Sequence, residues 1–567
     1  MAKARKKYVG DFETTTTPED VRVWASCLVD IDTSETAFIG NDIESFFDFL
    51  KDKNTVVYFH NLKFDGEFIL SYLLKNKYKH NDSKKPKTFE TLITDTGLFY
   101  SITVYFEKKN KQYKKVVFYD SYKKLPFKVS VISKAFELED EKLEIDYQAY
   151  RPRGHVLTEQ ERQYIVNDCR IVAQALKIQL SKGLTKMTNA SDALNGYKEI
   201  ISKSNFERWF PVLPLHIDSD MRKAYKGGFT YLNPKYKDKR VRGGVTFDVN
   251  SLYPSVMYNC LLPWGYPIFF EGQYVPDERY PLYIVHLTCR FRLKKDHIPT
   301  LQIKSGFRYV QTEYLTTNVS IENGKENDDP VELYLTNVDY ELLKDHYELY
   351  DVEYINGWKF KGVHGLFKEY IDYWGHIKET TTGAMRQLAK LMLNSLYGKF
   401  ATNPKTRKKI PLIDSEGVVR YTLDKEEYKD PVYTVMGCFI TAYARDKTIR
   451  SAQSVYDRFI YADTDSLHLE GTEIPDILDI HPTRLGAWKH EGTFCDSLFI
   501  RAKTYMESYQ KEDGSINTVV TCAGMPDNVK ESVTYENFHS GSSFSGKLLP
   551  KRYEGGIVLT DTLFTIK

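Results

Sequence analysis

The sequence is poor in cysteine and lacks long apolar runs. Seven cysteines are scattered over 567 residues without a CxxC pair, so we expect neither a disulfide framework nor a zinc cluster. No stretch of 18 apolar residues occurs, and we expect no transmembrane helix. The opening MAKARKKYVG is basic but lacks the apolar core of a signal peptide. These absences favour a soluble protein of reducing cytoplasm with no membrane partner.

The sequence also lacks a strong net charge. Its 79 basic and 77 acidic residues leave a formal charge of only +2, which argues neither for nor against a polyanionic partner. Local segregation is still compatible with a basic groove and an acidic metal site. KKNKQYKK (108–115) and KTRKK (405–409) are candidate basic stripes, although a solvated loop face is the more common explanation for each. Aromatic residues are abundant at 14%, and they suit both strand cores and base stacking.

The length of the chain exceeds what one hydrophobic core supports, so three or more domains are expected. Strand and helix signals alternate from 8 to about 187 and end in a helix over 158–183, which indicates a mixed α/β unit. The segment 371–400 reads as a helical hairpin with its turn near Glu379–Gly383. Polar stretches at 304–330 and 402–430 look like insertions.

Two acidic strand ends are the most informative feature of the second region. The run YADTDS (461–466) predicts strand, turn and strand, with Asp463 and Asp465 facing one point. In VTFDVNSLYPSVM (245–257), Asp248 follows an apolar run and precedes a helix start. Oxygen-rich points suit Mg²⁺, and three gathered carboxylates would hold two ions for phosphoryl transfer. An inert surface turn is the alternative for YADTDS alone.

Between these strand ends lies a helix with a polar stripe. Its members are Arg386, Lys390, Asn394 and Tyr397, spaced 4, 4 and 3. Leu388, Leu391, Met392 and Ser395 fall largely elsewhere. Two cations and a tyrosine on one stripe suit a nucleoside triphosphate, whereas a solvated face explains the cations but less well the NSLYG segment. AKTY (502–505) adds Lys503 and Tyr505.

A separate acidic set lies near the amino terminus. Asp11 and Glu13 in GDFETTT share one face of a strand, and YFHNLKFDGEF contributes Asp65. In YIVNDC, Tyr164 and Asp168 are spaced i, i+4 on a helix. Such a set would hold two divalent ions and aim a water at a terminal phosphodiester. It resembles the DEDD-type 3′–5′ exonucleases in their DEDDy form, in which Tyr164 would orient the water.

The motifs DVNSLYP, KLMLNSLYG, YADTDS and KTY, in this order, resemble those of family B DNA polymerases. The chain is similar to the protein-primed branch, the small-phage replicases of the phi-29 type, from GDFETTT to the final TIK. AYKGGF (224–229) matches that branch's YxGG motif. The resemblance implies a mixed α/β fold: a ribonuclease H-like DEDDy exonuclease domain followed by a right-hand polymerase domain.

The resemblance also implies a division of the chain. The expected parts are an exonuclease domain (1–187), a first palm segment (188–260), insertion 1 for the terminal protein (261–365), fingers (366–401), insertion 2 for processivity and strand displacement (402–428), a second palm segment (429–522) and a thumb (523–567).

For synthesis, the resemblance assigns the metals to Asp248, Val249 and Asp465, with Asp463 as a supporting catalytic residue. Tyr253 would close the sugar pocket against a 2′-hydroxyl. The expected nucleotide-binding residues are Tyr253, Lys378, Arg386, Lys390, Asn394 and Tyr397. The expected DNA contacts here are Tyr225, Gly227, Gly228, Lys503 and Tyr505, with Lys503 at the primer end.

For degradation, the implied metal ligands are Asp11, Glu13, Asp65 and Asp168, with Tyr164 and Lys142 as catalytic residues. The implied single-strand contacts are Thr14, Tyr58, His60, Asn61, Phe64, Phe68, Ser121, Tyr122 and Tyr147. Their aromatic members suit base stacking at ~1–3 kcal/mol per base, or else core packing, as Phe68 in particular does. Tyr122 stands where the phi-29 type has leucine.

The implied activity is DNA-directed DNA synthesis on a linear viral or plasmid genome, in the host bacterial cytoplasm. Initiation would use a terminal protein, bound as a heterodimer, whose hydroxyl replaces an RNA primer. Strand displacement, processive synthesis and 3′–5′ proofreading would follow, with two Mg²⁺ per active site (Mn²⁺ substituting) and with template, primer and dNTPs as partners. The alternatives are a nuclease with a degenerate polymerase half, and a non-catalytic DNA-binding or packaging factor. The intact synthesis motifs disfavour the first, and two complete acidic sites disfavour the second.

Overall fold

A computed structural model describes residues 5–109, 112–304, 312–322 and 324–567. The chain is built on two large sheets, one amino-terminal and one central, with helices packed against both. The predicted mixed α/β fold is confirmed. None of the helices in the described ranges is long and apolar enough to cross a membrane.

The amino-terminal sheet has eight strands. They are β1 (Lys6–Thr14), β2 (Val23–Asp30), β3 (Thr36–Gly40), β4 (Thr55–Phe59), β5 (Lys79–His80), β6 (Thr88–Ile93), β7 (Phe99–Lys109) and β8 (Gln112–Asp120). Their order is β3-β2-β1-β4-β8-β7-β6-β5, with β1 and β8 both parallel to β4. Every residue of β2 is buried, as expected of a strand covered on both faces. The candidate basic stripe at 108–115 includes Asn110 and Lys111, which lie outside the described residues.

Four helices accompany this sheet. They are α1 (Ile43–Leu50), α2 (Leu62–Lys75), α3 (Val129–Phe136) and α4 (Glu159–Ser181). The helix predicted over 158–183 is confirmed as α4. It begins at a capping box in which Thr158 and Glu161 satisfy each other's backbone N–H groups, which explains its sharp start.

The next segment leads from the amino-terminal unit into the central sheet. Its elements are α5 (Asn189–Ile201), α6 (Lys203–Trp209), α7 (Leu215–Lys223), β9 (Thr230–Leu232), β10 (Arg240–Val241), β11 (Gly244–Val249) and α8 (Leu252–Asn259). A buried ion pair joins the two units, because Lys124 after β8 meets Asp192 of α5 at 2.5 Å.

The region predicted as insertion 1 contains a sheet of its own. Its elements are β12 (Leu262–Glu271), β13 (Leu282–Leu293), β14 (Gln302–Lys304), β15 (Thr312–Tyr314), β16 (Ser320–Glu322), β17 (Lys325–Asn327), β18 (Val331–Thr336), α9 (Asn337–His346) and β19 (Tyr347–Val363). Four strands pair in the order β12-β19-β13-β18. Within the polar stretch 304–330, residues 305–311 and 323 lie outside the described residues.

The predicted helical hairpin is confirmed as α10 (Lys368–Thr380) and α11 (Gly383–Ser395). The polar stripe, however, does not run on one helix to its end. Leu396 interrupts the helix, and Tyr397 begins a separate short helix, α12 (Tyr397–Phe400).

The region predicted as insertion 2 forms paired strands where a basic loop was expected. The strands are β20 (Lys405–Thr406), β21 (Lys409–Ile413), β22 (Val419–Leu423) and β23 (Glu427–Tyr428). β21 pairs with β22 and β20 with β23, both antiparallel. Part of the basic charge is balanced within the same segment, because Lys405 meets Glu426 and Lys408 meets Glu427.

The remaining elements complete the central sheet and the carboxyl-terminal part. They are α13 (Thr434–Ser454), β24 (Phe459–Asp463), β25 (Ser466–Glu470), β26 (Trp488–Arg501), β27 (Thr504–Gln510), β28 (Ile516–Cys522), α14 (Asp527–Lys530), β29 (Ser543–Tyr553) and β30 (Gly556–Thr565). The sheet order is β28-β27-β26-β11-β25-β24-β9, with β10 on β26. β29 and β30 form a hairpin, which we call the carboxyl-terminal hairpin.

Distant parts of the chain share one hydrophobic core beneath the amino-terminal sheet. Val419 of β22 and Ile557 and Val558 of β30 are buried in the same cluster as Leu62 and Phe68 of α2. The amino-terminal unit, the β21–β22 hairpin and the carboxyl-terminal hairpin therefore meet at helix α2.

Candidate active sites

The first site is formed by carboxylates from β1, α2 and α4. Asp11 and Glu13 lie on β1, Asp65 in the first turn of α2 and Asp168 on α4. Asp11, Glu13 and Asp65 line a cavity of about 750 Å³. Asp11 and Glu13 also line an adjoining cavity of about 210 Å³ with Asp168. The structure therefore brings the four predicted carboxylates together.

These carboxylates repel one another in a buried setting. Burial raises the pKa of Asp11 to about 7, and repulsion from Asp168 adds to the shift. Burial and Asp11 hold the pKa of Glu13 and of Asp65 well above the usual range. Crowded acids that favour their neutral forms without a counterion are typical of a cation site.

Two further predicted residues lie at the same cluster. Lys142 Nζ donates to Asp168 Oδ2 at 2.9 Å, and the Tyr164 hydroxyl is hydrogen-bonded to that of Tyr147. Burial raises the pKa of Tyr164 far above its usual range, and Glu13 and Asp168 add to it. Tyr164 therefore stays protonated and is able to donate a hydrogen bond.

The predicted single-strand contacts divide into two groups. Thr14, His60, Asn61, Phe64 and Tyr147 line the larger cavity, and Tyr122 is exposed with its ring 5.5 Å from His60. His60 is held in place by Ser121 Oγ at 3.0 Å and by the Phe127 carbonyl at 2.7 Å.

The second group is packed inside the protein. Phe68 is 1% exposed and Tyr58 is 6% exposed, so neither ring offers a face on which a base would stack. Phe68 lies in the shared core, and Tyr58 packs near Tyr119. Ser121 is fully buried and acts on His60 rather than on a strand. Packing takes up the side chains of Phe68 and Tyr58, and hydrogen bonds take up that of Ser121; direct contact of these three residues with a strand stays a prediction.

The second site lies where β11, β24 and β25 end. Asp248 of β11 pairs in register with Ser466 of β25, and the Val249 N–H donates to the Asp465 carbonyl at 2.8 Å. Burial raises the pKa of Asp248 to about 7, and the Asp465 carboxylate adds to the shift. The predicted meeting of the two acidic strand ends is confirmed.

Asp463 and Asp465, which were predicted to face one point, lie near each other, since Asp463 adds to the raised pKa of Asp465, but they have different partners. The Asp463 carboxylate accepts from Lys503 Nζ at 2.7 Å and from Thr230 Oγ1 at 3.0 Å. The turn residue between the two acids, Thr464, has φ of 61°, and this left-handed conformation redirects the chain. Asp465 faces Asp248, while Asp463 is tied to Lys503.

Cations collect beside the second site. Arg386, Lys390 and Asn394 are exposed on α11, while Leu388 and Met392 are buried beneath it, as the stripe predicted. On α10, Lys378 Nζ donates to Ser251 Oγ at 3.0 Å. Ser251 stands in the chain between Asp248 and the start of α8. Burial lowers the pKa of Lys378, and Arg386 and Lys390 lower it further. This mutual repulsion is what an anionic ligand would relieve.

Aromatic rings border the same place. Tyr253 of α8 stacks on Tyr397 of α12, with ring centroids 4.0 Å apart and an interplanar angle of 19°. Burial raises the pKa of Tyr225, and the nearby Tyr397 raises it further. Tyr505, by contrast, stacks on Phe499 beside Tyr461 within the central sheet.

The two glycines predicted as DNA contacts support the acidic turn. A Cβ at Gly228 would lie 2.5 Å from Thr464 Oγ1, so a larger residue there collides with the turn. The Thr464 N–H donates to the Phe229 carbonyl. Arg445 holds the same loop by donating to the Lys226 and Gly227 carbonyls at 2.8 Å.

Several residues near the second site had no motif to indicate them. Thr230 and Tyr314 are linked, because the Thr230 N–H donates to the Tyr314 hydroxyl at 3.1 Å. Arg445 is paired with buried Asp339 of α9 at 2.8 Å. Glu491 is near enough to raise the pKa of Asp248. These contacts join segments that are far apart in the sequence, so no local residue spacing indicates them.

The donor sets suit divalent cations. In the described ranges, no three acidic, histidine or cysteine side chains stand in a geometry that would hold a metal as they are. Asp65 Oδ1 and Asp168 Oδ1 are nevertheless buried without a hydrogen-bond partner among the described residues. A hard cation such as Mg²⁺ would satisfy these oxygens and relieve the repulsion between the acids. The residues present therefore fit such a group.

Comparisons with known proteins agree with this picture. A model of the family "DNA polymerase type B, organellar and viral" matches residues 48–158 and 144–481. The DNA polymerase of Bacillus phage M2 is 48% identical over the full length of both chains, and that of Bacillus phage phi29 is 49% identical over 99% of each. The structure of phi29 DNA polymerase complexed with primer-template DNA and incoming nucleotide substrates is similar at a TM-score of 0.93, with 48% identity and full coverage of both chains.

Proposed function

The chain belongs to the organellar and viral family of type B DNA polymerases and is a DNA polymerase of the phi29 type, and from this premise we propose that it replicates a linear viral or plasmid genome from a protein primer, with proofreading. The observation that carries the proposal is the pair of separate carboxylate sites, one on each large sheet, the second of which adjoins a cluster of cations. One site suits hydrolysis of a strand end and the other suits transfer of a nucleotide.

In the second site, Asp248, the Val249 carbonyl and Asp465 would hold two Mg²⁺ ions, with Mn²⁺ as a substitute. When bound, the ions stabilise both the attacking and the leaving oxygen of the transfer. Lys378, Arg386 and Lys390 bind the triphosphate by charge-assisted hydrogen bonds. Asn394 and Tyr397 border the base, and Lys503, tied to Asp463, supports the primer end.

The Tyr253 ring excludes ribonucleotides in this proposal. Its stacking on Tyr397 fixes its plane, so the ring forms a rigid floor beneath the incoming sugar. A 2′-hydroxyl would collide with that floor, whereas a deoxyribose would rest on it. Discrimination between ribonucleotides and deoxyribonucleotides then depends on the shape of the sugar.

In the first site, Asp11, Glu13, Asp65 and Asp168 would hold the ions for removal of a 3′-terminal nucleotide. Tyr164 donates a hydrogen bond that orients the attacking water, and Lys142 neutralises Asp168. The cavity beside His60, Phe64 and Tyr147 receives the strand end. This activity would remove misincorporated nucleotides.

Protein priming, processivity and strand displacement are proposed for the two insertions. The sheet around β13 and β19 offers a separate surface for a terminal protein, whose hydroxyl would accept the first nucleotide. The β21–β22 hairpin reaches the amino-terminal unit and the carboxyl-terminal hairpin. That arrangement would surround a duplex and slow its release from the enzyme. The proposed site of replication is the host bacterial cytoplasm. Template, primer and dNTPs are the other proposed partners.

Editing of a mismatched primer tests the proofreading part of the proposal. The wild-type enzyme with Mg²⁺ should trim a mismatched 3′ end before extending it. Asp11→Ala combined with Asp65→Ala should extend a matched primer normally and fail to trim. Normal trimming by the double variant would refute the assignment of the first site.

A radiolabelled dNTP tests protein priming. In the presence of a terminal protein and template, the label should become covalently attached to protein through a hydroxyl, and Asp465→Asn should abolish the attachment. A labelled product that consists of DNA alone would contradict protein priming while leaving DNA synthesis intact.

A further inference from the structure

The contact between helix α2 and the carboxyl-terminal hairpin contains a buried carboxylate outside both sites. Glu67 is 1% exposed. It accepts from Arg552 Nε at 2.9 Å and lies 2.8 Å from Arg552 Nη2. The two residues are 485 positions apart. A buried charge of this kind is tolerated only with its partner, because an unpaired one is strongly unfavourable.

The ion pair is enclosed by the β21–β22 hairpin. The Arg552 guanidinium lies 4.8 Å from the centre of the Tyr421 ring, and the Phe99 ring of β7 stands edge-to-face to that ring, with centroids 6.4 Å apart. The turn of the β21–β22 hairpin also bridges to the carboxyl-terminal hairpin between Val418 and Glu554. The pair therefore lies at the junction of three parts of the chain.

Close backbone contacts fix the same junction. A Cβ at Gly556 would lie 2.4 Å from the Phe68 ring, and one at Gly555 would lie 2.2 Å from the Val21 carbonyl. Gly555 has φ of 101°, which a residue with a side chain rarely adopts. The hairpin thus rests directly on α2 and on the segment just before β2.

The carboxyl-terminal hairpin is also a wall of the first site. The cavity that contains Asp11, Glu13 and Asp65 is lined on one side by hairpin residues. These are Leu548, Ile557, Val558, Leu559, Thr560 and Asp561. Where the hairpin rests on α2 therefore determines the width of the channel for a strand end.

We propose that Glu67 and Arg552 are positioning residues for the degradation of single-stranded DNA, because their ion pair holds the carboxyl-terminal hairpin in place as the wall of the first-site cavity. Neither residue touches the reacting atoms. The inference rests on the proposed exonuclease function and adds which residues shape its substrate channel. An exposed pair at the same contact, Lys75 with Glu554 at 2.9 Å, contributes little, because solvent screens it.

Steady-state degradation of 5′-labelled single strands tests the proposal. Arg552→Gln should raise KM for the strand by about fivefold or more with kcat nearly unchanged, because strand binding is weakened and the chemistry is not. Lys75→Gln, the matched control at the same contact, should behave as wild type. Glu67→Gln combined with Arg552→Gln should be no worse than Arg552→Gln alone, because the two act as one unit.

Hydrogen exchange gives a readout that does not depend on activity. In Arg552→Gln, the amides of β29 and β30 should exchange faster than in wild type, while those of β11 and β25 should not change. An unchanged KM, a fall in kcat alone, or an equal effect of Lys75→Gln would overturn the proposal. A wild-type enzyme that does not degrade single strands would refute the exonuclease function instead, and the exchange measurement would still decide whether the pair holds the hairpin.

Discussion

At the scale of residues, the second site depends on a close approach between a glycine and a turn. Gly228 lies against Thr464, the left-handed residue between Asp463 and Asp465. The two acids of the turn have different partners. Asp465 lies near Asp248, and Asp463 accepts a hydrogen bond from Lys503. The motif predicted that both carboxylates lie at one turn, but alternate positions in a sequence do not reveal that the turn is left-handed.

Gly228→Ala should therefore displace the acidic turn. The added Cβ would lie 2.5 Å from Thr464 Oγ1, which we expect to cost about 1–3 kcal/mol of folding stability and to lower nucleotide insertion about tenfold or more through misplacement of Asp465. Thermal unfolding and single-nucleotide insertion measure the two effects. Gly375→Ala on α10 is the control, because nothing lies within 4 Å of its Cβ. Equal behaviour of the two variants would contradict the packing role.

Tyr253→Val should weaken discrimination against ribonucleotides. Removing the ring opens space beneath the sugar that the Tyr253–Tyr397 stack now fills. The measurement is the ratio of kcat/KM for rNTP and dNTP insertion, and Tyr253→Phe, which keeps the ring, should retain the wild-type ratio. An active Tyr253→Val enzyme with an unchanged ratio would mean that the floor of the sugar pocket lies elsewhere.

The carboxylates also predict how metal binding depends on pH. Without metal, the pKa of Asp11 and of Asp248 is raised to about 7, so both acids take up protons as pH falls through that value. Because bound Mg²⁺ requires the ionised form, its affinity should fall up to about tenfold per pH unit for each proton displaced, between about pH 8 and about pH 6. Calorimetry in buffers of different ionisation enthalpy measures the released protons. Proton-free binding near pH 7 would contradict the raised pKa values.

At the scale of elements, local sequence patterns predicted the helices and strands that contacts between neighbouring residues determine. The helix predicted over 158–183 is α4, whose start a capping box between Thr158 and Glu161 fixes locally, and the apolar runs around Asp248 and YADTDS indicated β11, β24 and β25. The β21–β22 hairpin was expected to be a basic loop. Its strands pair locally, but the packing of Val419 depends on partners far along the chain, which the local sequence does not show.

Deleting 403–423 tests the element proposed to surround the duplex. Single-nucleotide insertion on a short primer should be spared, because the hairpin lies away from Asp248 and Asp465. Products on primed circular templates should shorten in the presence of excess competitor DNA, and copying through a downstream duplex should fail. Since Val419 belongs to the shared core, thermal unfolding is the necessary control. Full-length products on both templates from a folded deletion variant would show that the hairpin is needed neither for processivity nor for strand displacement.

At the scale of the whole molecule, the motifs identified two sites but not how their surroundings are joined. The predicted carboxylates do converge, because the strands and helices that carry them pack together in the two units. Glu67 and Arg552, by contrast, are 485 positions apart, and although Glu67 stands in the run YFHNLKFDGEF, nothing in that run indicates its partner. For Phe68 and Tyr58 the sequence left base stacking and core packing open, because an aromatic residue in a sequence does not show which way it faces; the structure buries both rings.

The central claim is that synthesis and degradation belong to separate carboxylate sites on separate sheets. The most direct test is Asp465→Asn, measured for single-turnover nucleotide insertion and for degradation of single-stranded DNA on the same preparation. Insertion should fall by about a thousandfold or more, because the ligand lost from the second site bears directly on the transfer, while degradation should stay within about twofold of wild type. Ordinary insertion, or a parallel loss of both activities in a folded protein, would contradict the account.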